Sequence, residues 1–146
     1  IWLTTSPDLI HWGNSRILIK PMPYHWDELK IGPAAPPLKT ARGWLIIYHG
    51  VFATMAGAVY RLGLALLDLQ DPAKVISVCD RWLLQPTEPY EVTGYVPNVV
   101  FSCGAVPEPD GTLKIYWGGA DQVMCMGTAK LEELVDFCLK YPRPPL

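Results

Sequence analysis

The chain has 146 residues, of which 50% are hydrophobic and 18% are charged, and its formal net charge is −2. This composition is that of one globular domain with a sizeable core, and it excludes a disordered chain. The slightly acidic balance and the lack of a basic run argue against a nucleic-acid partner, and no apolar run is long enough to span a membrane.

Fifteen prolines and twelve glycines divide the sequence into short apolar runs, which predicts an all-β architecture. In chain order, we expect strands at 1–5, 16–19, 44–49, 60–67, 75–78, 99–106, 113–117 and 123–129. Only the segment 131–140 has helical spacing, with one apolar face formed by Leu131, Leu134, Val135, Cys138 and Leu139. We expect this short C-terminal helix to pack across the end of the β structure and to end before the prolines that follow it.

A proline-rich segment, 30–40, precedes the strand at 44–49 and places a lysine and a histidine at the two ends of one unit. Its three prolines fix backbone torsions and remove donors, so we expect a rigid loop that begins at Lys30. The strand then carries His49 at its far end, just before a glycine at which the backbone can turn. If the two side chains converge, they would suit an anion such as phosphate. The competing interpretation is a surface lysine and a half-buried strand-end histidine.

An internal repeat relates two parts of the chain. The segments 43–50 and 111–118 both read G-x-L-x-I-Y-x-G, and each is followed by a predicted strand that contains Gly-x-Ala. A repeat of roughly sixty residues made of several strands is typical of propeller blades. We therefore expect residues 1–146 to be a single partial β-propeller domain: the end of one blade plus about two more, with the N-terminal blades absent.

Two or three blades cannot close a ring, and their flanks would expose apolar faces and unpaired strand edges. Because the chain begins at Ile1, already inside a predicted strand, we favour the C-terminal half of a longer protein. The alternative is that further copies of the chain cover the flanks. If the chain is folded by itself, we expect a homo-oligomer.

The four cysteines, Cys79, Cys103, Cys125 and Cys138, are widely spaced and form neither a C-x-x-C pair nor a zinc-finger pattern. Each lies in or beside an apolar segment, so we expect buried free thiols and no metal site. Free thiols favour a reducing, cytoplasmic location.

Several motifs taken together resemble glycoside hydrolase family 130, the β-mannoside phosphorylases. They are the segments 30–40, 43–50, 60–68, 90–91, 94–101 and 116–121. The resemblance covers nearly the whole chain, in order, and corresponds to the C-terminal half of that family. It implies an all-β fold that forms about half of a five-bladed β-propeller, with the short helix at its C-terminus.

Members of that family split β-mannosidic bonds with inorganic phosphate and inversion, and release α-mannose 1-phosphate; some members hydrolyse the bond instead. By the resemblance, Lys30, His49 and Tyr60 fall on the family's phosphate-binding lysine, histidine and tyrosine. Asp121 falls on the aspartate that helps to hold the sugar. The implied ligands are a β-mannoside or related oligosaccharide and phosphate, which would be a co-substrate, with no cofactor. These residue types suit the task, since a phosphate dianion needs several donors and a carboxylate accepts hydrogen bonds from sugar hydroxyls.

The general-acid aspartate and the two phosphate-binding arginines of the family lie upstream of the matched region. Glycosidic cleavage needs an acid to protonate the leaving oxygen, so we expect no catalytic residue in this chain and no activity by the chain alone. A related inverting β-mannoside hydrolase and a non-catalytic half-propeller that binds sugar or self-associates are the alternatives. Tyr24 or Trp26, close to the 30–40 segment, would suit the wall of a sugar subsite.

Overall fold

Three antiparallel sheets follow one another along residues 1–144, the part of the chain that the computed structural model describes. A two-stranded ribbon consists of β1 (Trp2–Thr5) and β2 (Gly13–Ile17). The middle sheet consists of β3 (Lys30–Pro33), β4 (Leu38–Thr40), β5 (Gly43–Thr54), β6 (Gly57–Leu67) and β7 (Val75–Val78). The last sheet consists of β8 (Val100–Pro107), β9 (Thr112–Gly119) and β10 (Val123–Lys130). Two helices complete the described part: α1 (Pro89–Val92) and α2 (Leu131–Lys140).

The all-β prediction and the bounds of the C-terminal helix are confirmed, but the prediction of a loop at 30–40 is wrong. Both ends of this segment are strands, since β3 and β4 each pair with β5 on either side of Pro36 and Pro37. His49 is also not at the end of its strand, because β5 continues through Gly50 and turns only after Thr54.

Alternation along β5 separates two hydrophobic cores. Leu45 and Ile47 point into the first core, which the middle sheet shares with the last sheet and with α2. Ile46 and Tyr48 point into the second core, on the opposite face, together with Trp26 and segments from the N-terminal part of the chain. The sequence repeat has a structural counterpart, because the second copy places Leu113 and Ile115 of β9 in the first core as well.

The apolar face of α2 is narrower than predicted. Leu134, Val135 and Cys138 are buried in the first core, whereas Leu139 is 37% exposed. The helix therefore covers the junction of the two larger sheets with a narrow stripe of buried side chains, about one for each helical turn.

The cysteines are free, as predicted, but they are not all buried. Cys79 and Cys138 are buried, and burial raises the pKa of the Cys138 thiol to about 11. Cys125 is partly buried, and Cys103 is exposed. The prediction fails at Cys103 because the pairing of β8 with β9 shifts register between Ser102 and Gly104, and this bulge leaves the side chain outside the core.

Candidate functional site

The strand register places three of the predicted site residues on one face at one end of the middle sheet. Lys30 pairs with Val51, and Val51 pairs with Tyr60, so the three form a row across β3, β5 and β6. His49 lies two positions before Val51 and therefore on the same face, where Gly32 is opposite it. We call this group of Lys30, His49 and Tyr60 the Lys30 face.

Aromatic and cationic contacts tie the Lys30 face together. The Lys30 ammonium nitrogen lies 5.2 Å from the centre of the Tyr60 ring, and the His49 and Tyr60 ring centres are 6.1 Å apart. Phe101 of β8 approaches the His49 ring to 4.4 Å between ring centres. Phe101 was not among the predicted site residues. It contacts His49 because the last sheet packs beside the middle sheet.

Gly32 makes room for the histidine ring. A Cβ atom at this position would lie 2.4 Å from His49 Cε1 and 2.8 Å from His49 Nε2, well inside van der Waals contact. The need for a glycine at position 32 cannot be recognised from the sequence, because it depends on the pairing of β3 with β5. Any side chain at this position would push the imidazole away from its neighbours.

Two polar groups of the Lys30 face, the His49 ring and the Lys30 ammonium group, are available to bind a ligand. His49 Nδ1 is buried and has no hydrogen-bond partner in the described part of the chain. Burial, and secondly the positive charge of Lys30, lower the pKa of His49 below its ordinary value of 6.5, so the ring is neutral at pH 7. The Lys30 side chain is exposed, and the ion pairs found within residues 1–144 involve other cations. An ammonium group, a half-buried imidazole and a phenol can together supply donors to one anion.

A cavity of about 320 Å³ connects the Lys30 face to the last sheet. It is lined by Tyr60, Val96, Val99, Phe101 and Asp121. Asp121 therefore shares a cavity with Tyr60, whereas Lys30 and His49 are not part of this lining. An exposed carboxylate at the edge of such a cavity can accept hydrogen bonds from hydroxyl groups of a ligand.

Turn geometry, rather than side-chain bonding, fixes the position of Asp121. Ala120 and Asp121 lie in the turn between β9 and β10 and have φ angles of 47° and 52°, in the left-handed region that few non-glycine residues adopt. The backbone of Ala120 is held on both sides: its N–H donates to Val99 O at 3.0 Å, and its carbonyl accepts from Val96 N–H at 3.1 Å. The same contacts fix one wall of the cavity.

A buried glutamate supports that wall. Glu91 of α1 is 2% exposed; its Oε2 accepts the N–H groups of Thr87 and Glu88, and its Oε1 accepts the indole N–H of Trp117 at 2.9 Å. The carbonyl of Glu91 in turn accepts Val99 N–H at 3.0 Å. Because both of its carboxylate oxygens accept hydrogen bonds from neighbouring parts of the chain, Glu91 organises the cavity wall.

Neither suggested aromatic subsite residue lies on the Lys30 face. Trp26 is buried in the second core, on the other side of β5, and its indole N–H donates to Asp80 O at 2.9 Å. Tyr24 is almost fully exposed and borders a different cavity from Asp121. The expected closeness to Lys30 is therefore not found, because the backbone turn between Trp26 and Lys30 places the two rings away from this face, and a role of either ring in a sugar subsite stays a prediction.

Two other kinds of feature are absent from residues 1–144. No group of three or more His, Cys, Asp or Glu side chains is arranged to hold a metal ion. None of the helices in this range has the length and apolar character needed to cross a membrane.

Comparison with known proteins gives a consistent set of relatives. The sequence profile of the β-1,4-mannooligosaccharide phosphorylase family, glycoside hydrolase family 130, matches residues 1–140. A 1,2-β-oligomannan phosphorylase of Thermoanaerobacter sp. (strain X514) is 42% identical over 134 residues, which is 92% of this chain and 44% of the relative.

Solved structures agree with the sequence relatives. The β-1,2-mannobiose phosphorylase from Listeria innocua, in complex with β-1,2-mannobiose, superposes with a TM-score of 0.88 at 39% identity, covering 95% of this chain and 38% of that protein. A family member described among glycoside hydrolases that target β-1,2-mannosidic linkages in Candida mannan superposes with a TM-score of 0.77 at 27% identity, covering 90% and 40%. The chain thus spans less than half the length of these proteins, and its sheets form about half of a five-bladed β-propeller.

Proposed function

The chain belongs to glycoside hydrolase family 130, and from this premise we propose that it carries the C-terminal part of a phosphorolytic β-mannoside site. In this proposal, Lys30, His49 and Tyr60 bind inorganic phosphate, and Asp121 accepts hydrogen bonds from hydroxyl groups of the mannosyl unit. Phosphate is a co-substrate, and no cofactor takes part. The relatives act on β-1,2- and β-1,4-linked mannosides, so the substrate class is β-linked mannose oligosaccharides.

The unsatisfied histidine beside the lysine carries this proposal. A buried polar atom without a partner is uncommon in a folded protein, because leaving it unpaired costs roughly 1–3 kcal/mol. Among the described residues His49 Nδ1 is such an atom, and it lies on the same face as the Lys30 ammonium group, which pairs with no carboxylate of that part of the chain. A bound phosphate would offer oxygens to the lysine, the imidazole and the Tyr60 hydroxyl together.

The reaction is a single displacement. A phosphate oxygen attacks the anomeric carbon of the mannosyl unit, the bond from that carbon to the glycosidic oxygen breaks, and the leaving oxygen takes a proton from a general acid. The products are α-mannose 1-phosphate and the shortened sugar. The general acid and two further phosphate-binding arginines belong to a part of the family fold that these 146 residues do not contain, so we propose that the chain alone is inactive.

Hydrolysis is the second candidate function, since one structural neighbour is described among hydrolases of β-1,2-mannosidic linkages. Water as the nucleophile would need a base but would gain little from an uncompensated ammonium group. Lys30 and its short distance to the Tyr60 ring therefore favour phosphorolysis. A third possibility, a non-catalytic half-propeller that binds sugar or self-associates, would leave the Lys30 face without phosphate.

The proposal extends to assembly and location. The outer face of the last sheet exposes Met124 by 68% and Met126 by 52%, and the N-terminal ribbon exposes Trp2 by 66%. On a single partial propeller domain, such exposed apolar faces are expected to be buried by the remaining blades or by another copy of the chain. We therefore propose that the chain alone forms homo-oligomers. The free thiols suit a cytoplasmic location.

Phosphate titration tests the binding site directly. We expect the chain to bind inorganic phosphate in isothermal titration calorimetry, and we expect Lys30→Met and His49→Gln each to weaken binding about tenfold through loss of one charge-assisted or buried hydrogen bond. Lys39→Met is the matched control, because Lys39 also lies over an aromatic ring, that of Trp44, at 5.9 Å but away from the Lys30 face. Absence of binding, or equal losses in Lys30→Met and Lys39→Met, would contradict the proposal.

Reaction chemistry needs a complete propeller. A chimaera that joins the N-terminal part of the Listeria enzyme to residues 1–140 of this chain should release mannose 1-phosphate from β-1,2-mannobiose and phosphate, whereas the chain alone should not. Release of free mannose by the chimaera in the presence of phosphate would support the hydrolytic alternative. Turnover by the chain alone would show that it holds a general acid.

A further inference from the structure

A buried carboxylate, that of Asp27, lies three residues before Lys30 and binds one neighbouring side chain and two from distant parts of the sequence. Asp27 is fully buried; His25 Nδ1 is 2.8 Å from its Oδ1, and Oδ2 accepts the Tyr48 hydroxyl at 3.2 Å and Arg143 Nη1 at 3.3 Å. We call His25, Asp27, Tyr48 and Arg143 the Asp27 cluster. It lies on the face of β5 opposite the Lys30 face, because Tyr48 and His49 are consecutive residues of one strand.

The arginine of the cluster comes from the segment that follows α2. Its Nη1 binds Asp27, its Nη2 donates to Lys20 O at 2.9 Å, and its backbone N–H donates to Val78 O at 2.8 Å. The Arg143 side chain is 9% exposed and that of Asp27 is 0% exposed, so this is a buried ion pair across 116 residues of sequence. The C-terminal segment thereby closes onto the turn that leads into β3.

That turn is held tightly on the way to Lys30. Trp26 donates its indole N–H to Asp80 O at 2.9 Å, Glu28 N–H donates to His25 O at 3.1 Å, and Leu29 N–H donates to Val51 O at 3.0 Å. A Cβ atom on Gly50 would lie 2.4 Å from Asp27 Cβ, so the turn packs directly against the β5 backbone. These contacts fix where β3 begins, and Lys30 is its first residue.

We propose that Asp27 and Arg143 are positioning residues for Lys30. The Lys30 side chain is exposed and forms no ion pair with a carboxylate of residues 1–144, so its ammonium group stays near Tyr60 through the placement of its backbone. A buried ion pair contributes little net stability compared with apolar side chains of similar size, and its best-attested benefit is that it specifies one arrangement. Here the arrangement specified is the entry into β3. The inference rests on the proposed function only in taking Lys30 as a phosphate ligand.

The test removes the ion pair while keeping neutral hydrogen bonds. In Asp27→Asn/Arg143→Met, the amide can still accept from Tyr48, and no buried charge remains without a partner, so we expect a folded protein. Arg42→Met is the matched control, because Arg42 also ties a strand turn to another element, through ion pairs with Glu132 and Asp136, but lies away from Lys30. The first readout is the NMR shift of the Lys30 ε-methylene protons, which the Tyr60 ring current displaces in the wild-type chain.

We expect the double variant to lose most of the Lys30 ring-current displacement and to bind phosphate about tenfold more weakly, since small misplacements of a binding group cost large factors. Arg42→Met should change neither. The single variant Arg143→Lys, made with Asp27 in place, keeps the positive charge but cannot contact both Asp27 and Lys20. It should show a Lys30 shift between those of the wild-type chain and the double variant. An unchanged Lys30 shift in the folded double variant would overturn the inference. Loss of the shift in a chain that binds no phosphate would instead support the positioning role and overturn the phosphate site.

Discussion

The two faces of β5 hold polar groups in opposite states, although Tyr48 and His49 are neighbours in the sequence. On one face, the Tyr48 hydroxyl donates to Asp27, and every side chain of the Asp27 cluster is hydrogen-bonded. Burial, and secondly the nearby Asp27 carboxylate, raise the pKa of Tyr48 well above 10, so it remains a donor. On the other face, His49 Nδ1 has no partner within the described residues. On the first face the polar groups are satisfied within the fold, and on the second face the unpaired His49 atom is the one that we propose a ligand would satisfy.

Each face also has a glycine at which a second segment approaches the hairpin closely. Gly50 admits Asp27 and Trp26 on one face, and Gly32 admits the His49 ring on the other. At Gly50, a methyl group would meet a tightly packed turn. At Gly32, it would meet only the ring of a half-buried side chain, which can rotate. The comparison therefore predicts that changes at the Asp27 cluster affect stability most and that changes at the Lys30 face affect binding most.

The largest effect is expected from removing the central carboxylate of the satisfied face. Asp27→Ala would leave the Arg143 guanidinium buried without its partner and the Tyr48 hydroxyl without an acceptor. We expect the free energy of unfolding to fall by about 3–5 kcal/mol, measured by urea denaturation. Asp136→Ala removes an exposed ion-pair partner of Arg42 and should cost less than about 1 kcal/mol. Equal costs for the two variants would show that the Asp27 cluster is not the stabilising side of the comparison.

An intermediate effect is expected from adding one methyl group to each face in turn. Gly50→Ala should lower the free energy of unfolding by about 1–3 kcal/mol, because its Cβ would overlap Trp26 Cζ3 and Asp27 Cβ, both at 2.4 Å. Gly32→Ala should cost less stability but weaken phosphate binding, because it displaces the His49 ring. Denaturation and phosphate titration of both variants measure the two quantities. A reversal, in which Gly32→Ala unfolds the chain more readily than Gly50→Ala, would contradict this assignment.

Local patterns in the sequence predict the repeat strands and α2, since apolar spacing and the prolines after Lys140 depend only on neighbours. The strand β3 is missed because prolines at 33, 36 and 37 suggest a loop, whereas only the pairing of Lys30 with Val51 reveals a strand. The resemblance supplies Lys30, His49, Tyr60 and Asp121 as candidates, and the register brings the first three together. Gly32 and Phe101 are missed because their roles depend on sheet register and on packing between sheets.

The Asp27 cluster is beyond local reasoning for a related reason. Asp27 stands in a stretch that reads as a turn, and nothing in its neighbours indicates that it is fully buried. Its partner Arg143 lies 116 residues away, in a proline-rich segment after the helix. Contacts of that range follow from the closure of the fold and cannot be obtained from spacing or composition.

The smallest expected effect is a shift in one titration on the unsatisfied face. In the wild-type chain the pKa of His49 lies below 6.5 because of burial and, secondly, of Lys30. Lys30→Met should raise the pKa of His49 only part of the way to 6.5, since burial remains. Because the folded state binds the proton less tightly than the unfolded state, the free energy of unfolding should rise as pH increases through the folded pKa towards 6.5. NMR titration of the three histidine rings, assigned with His49→Gln, measures the shift. A His49 pKa that stays unchanged in Lys30→Met would show that the lysine charge does not reach the ring, and the two groups could then not serve one anion.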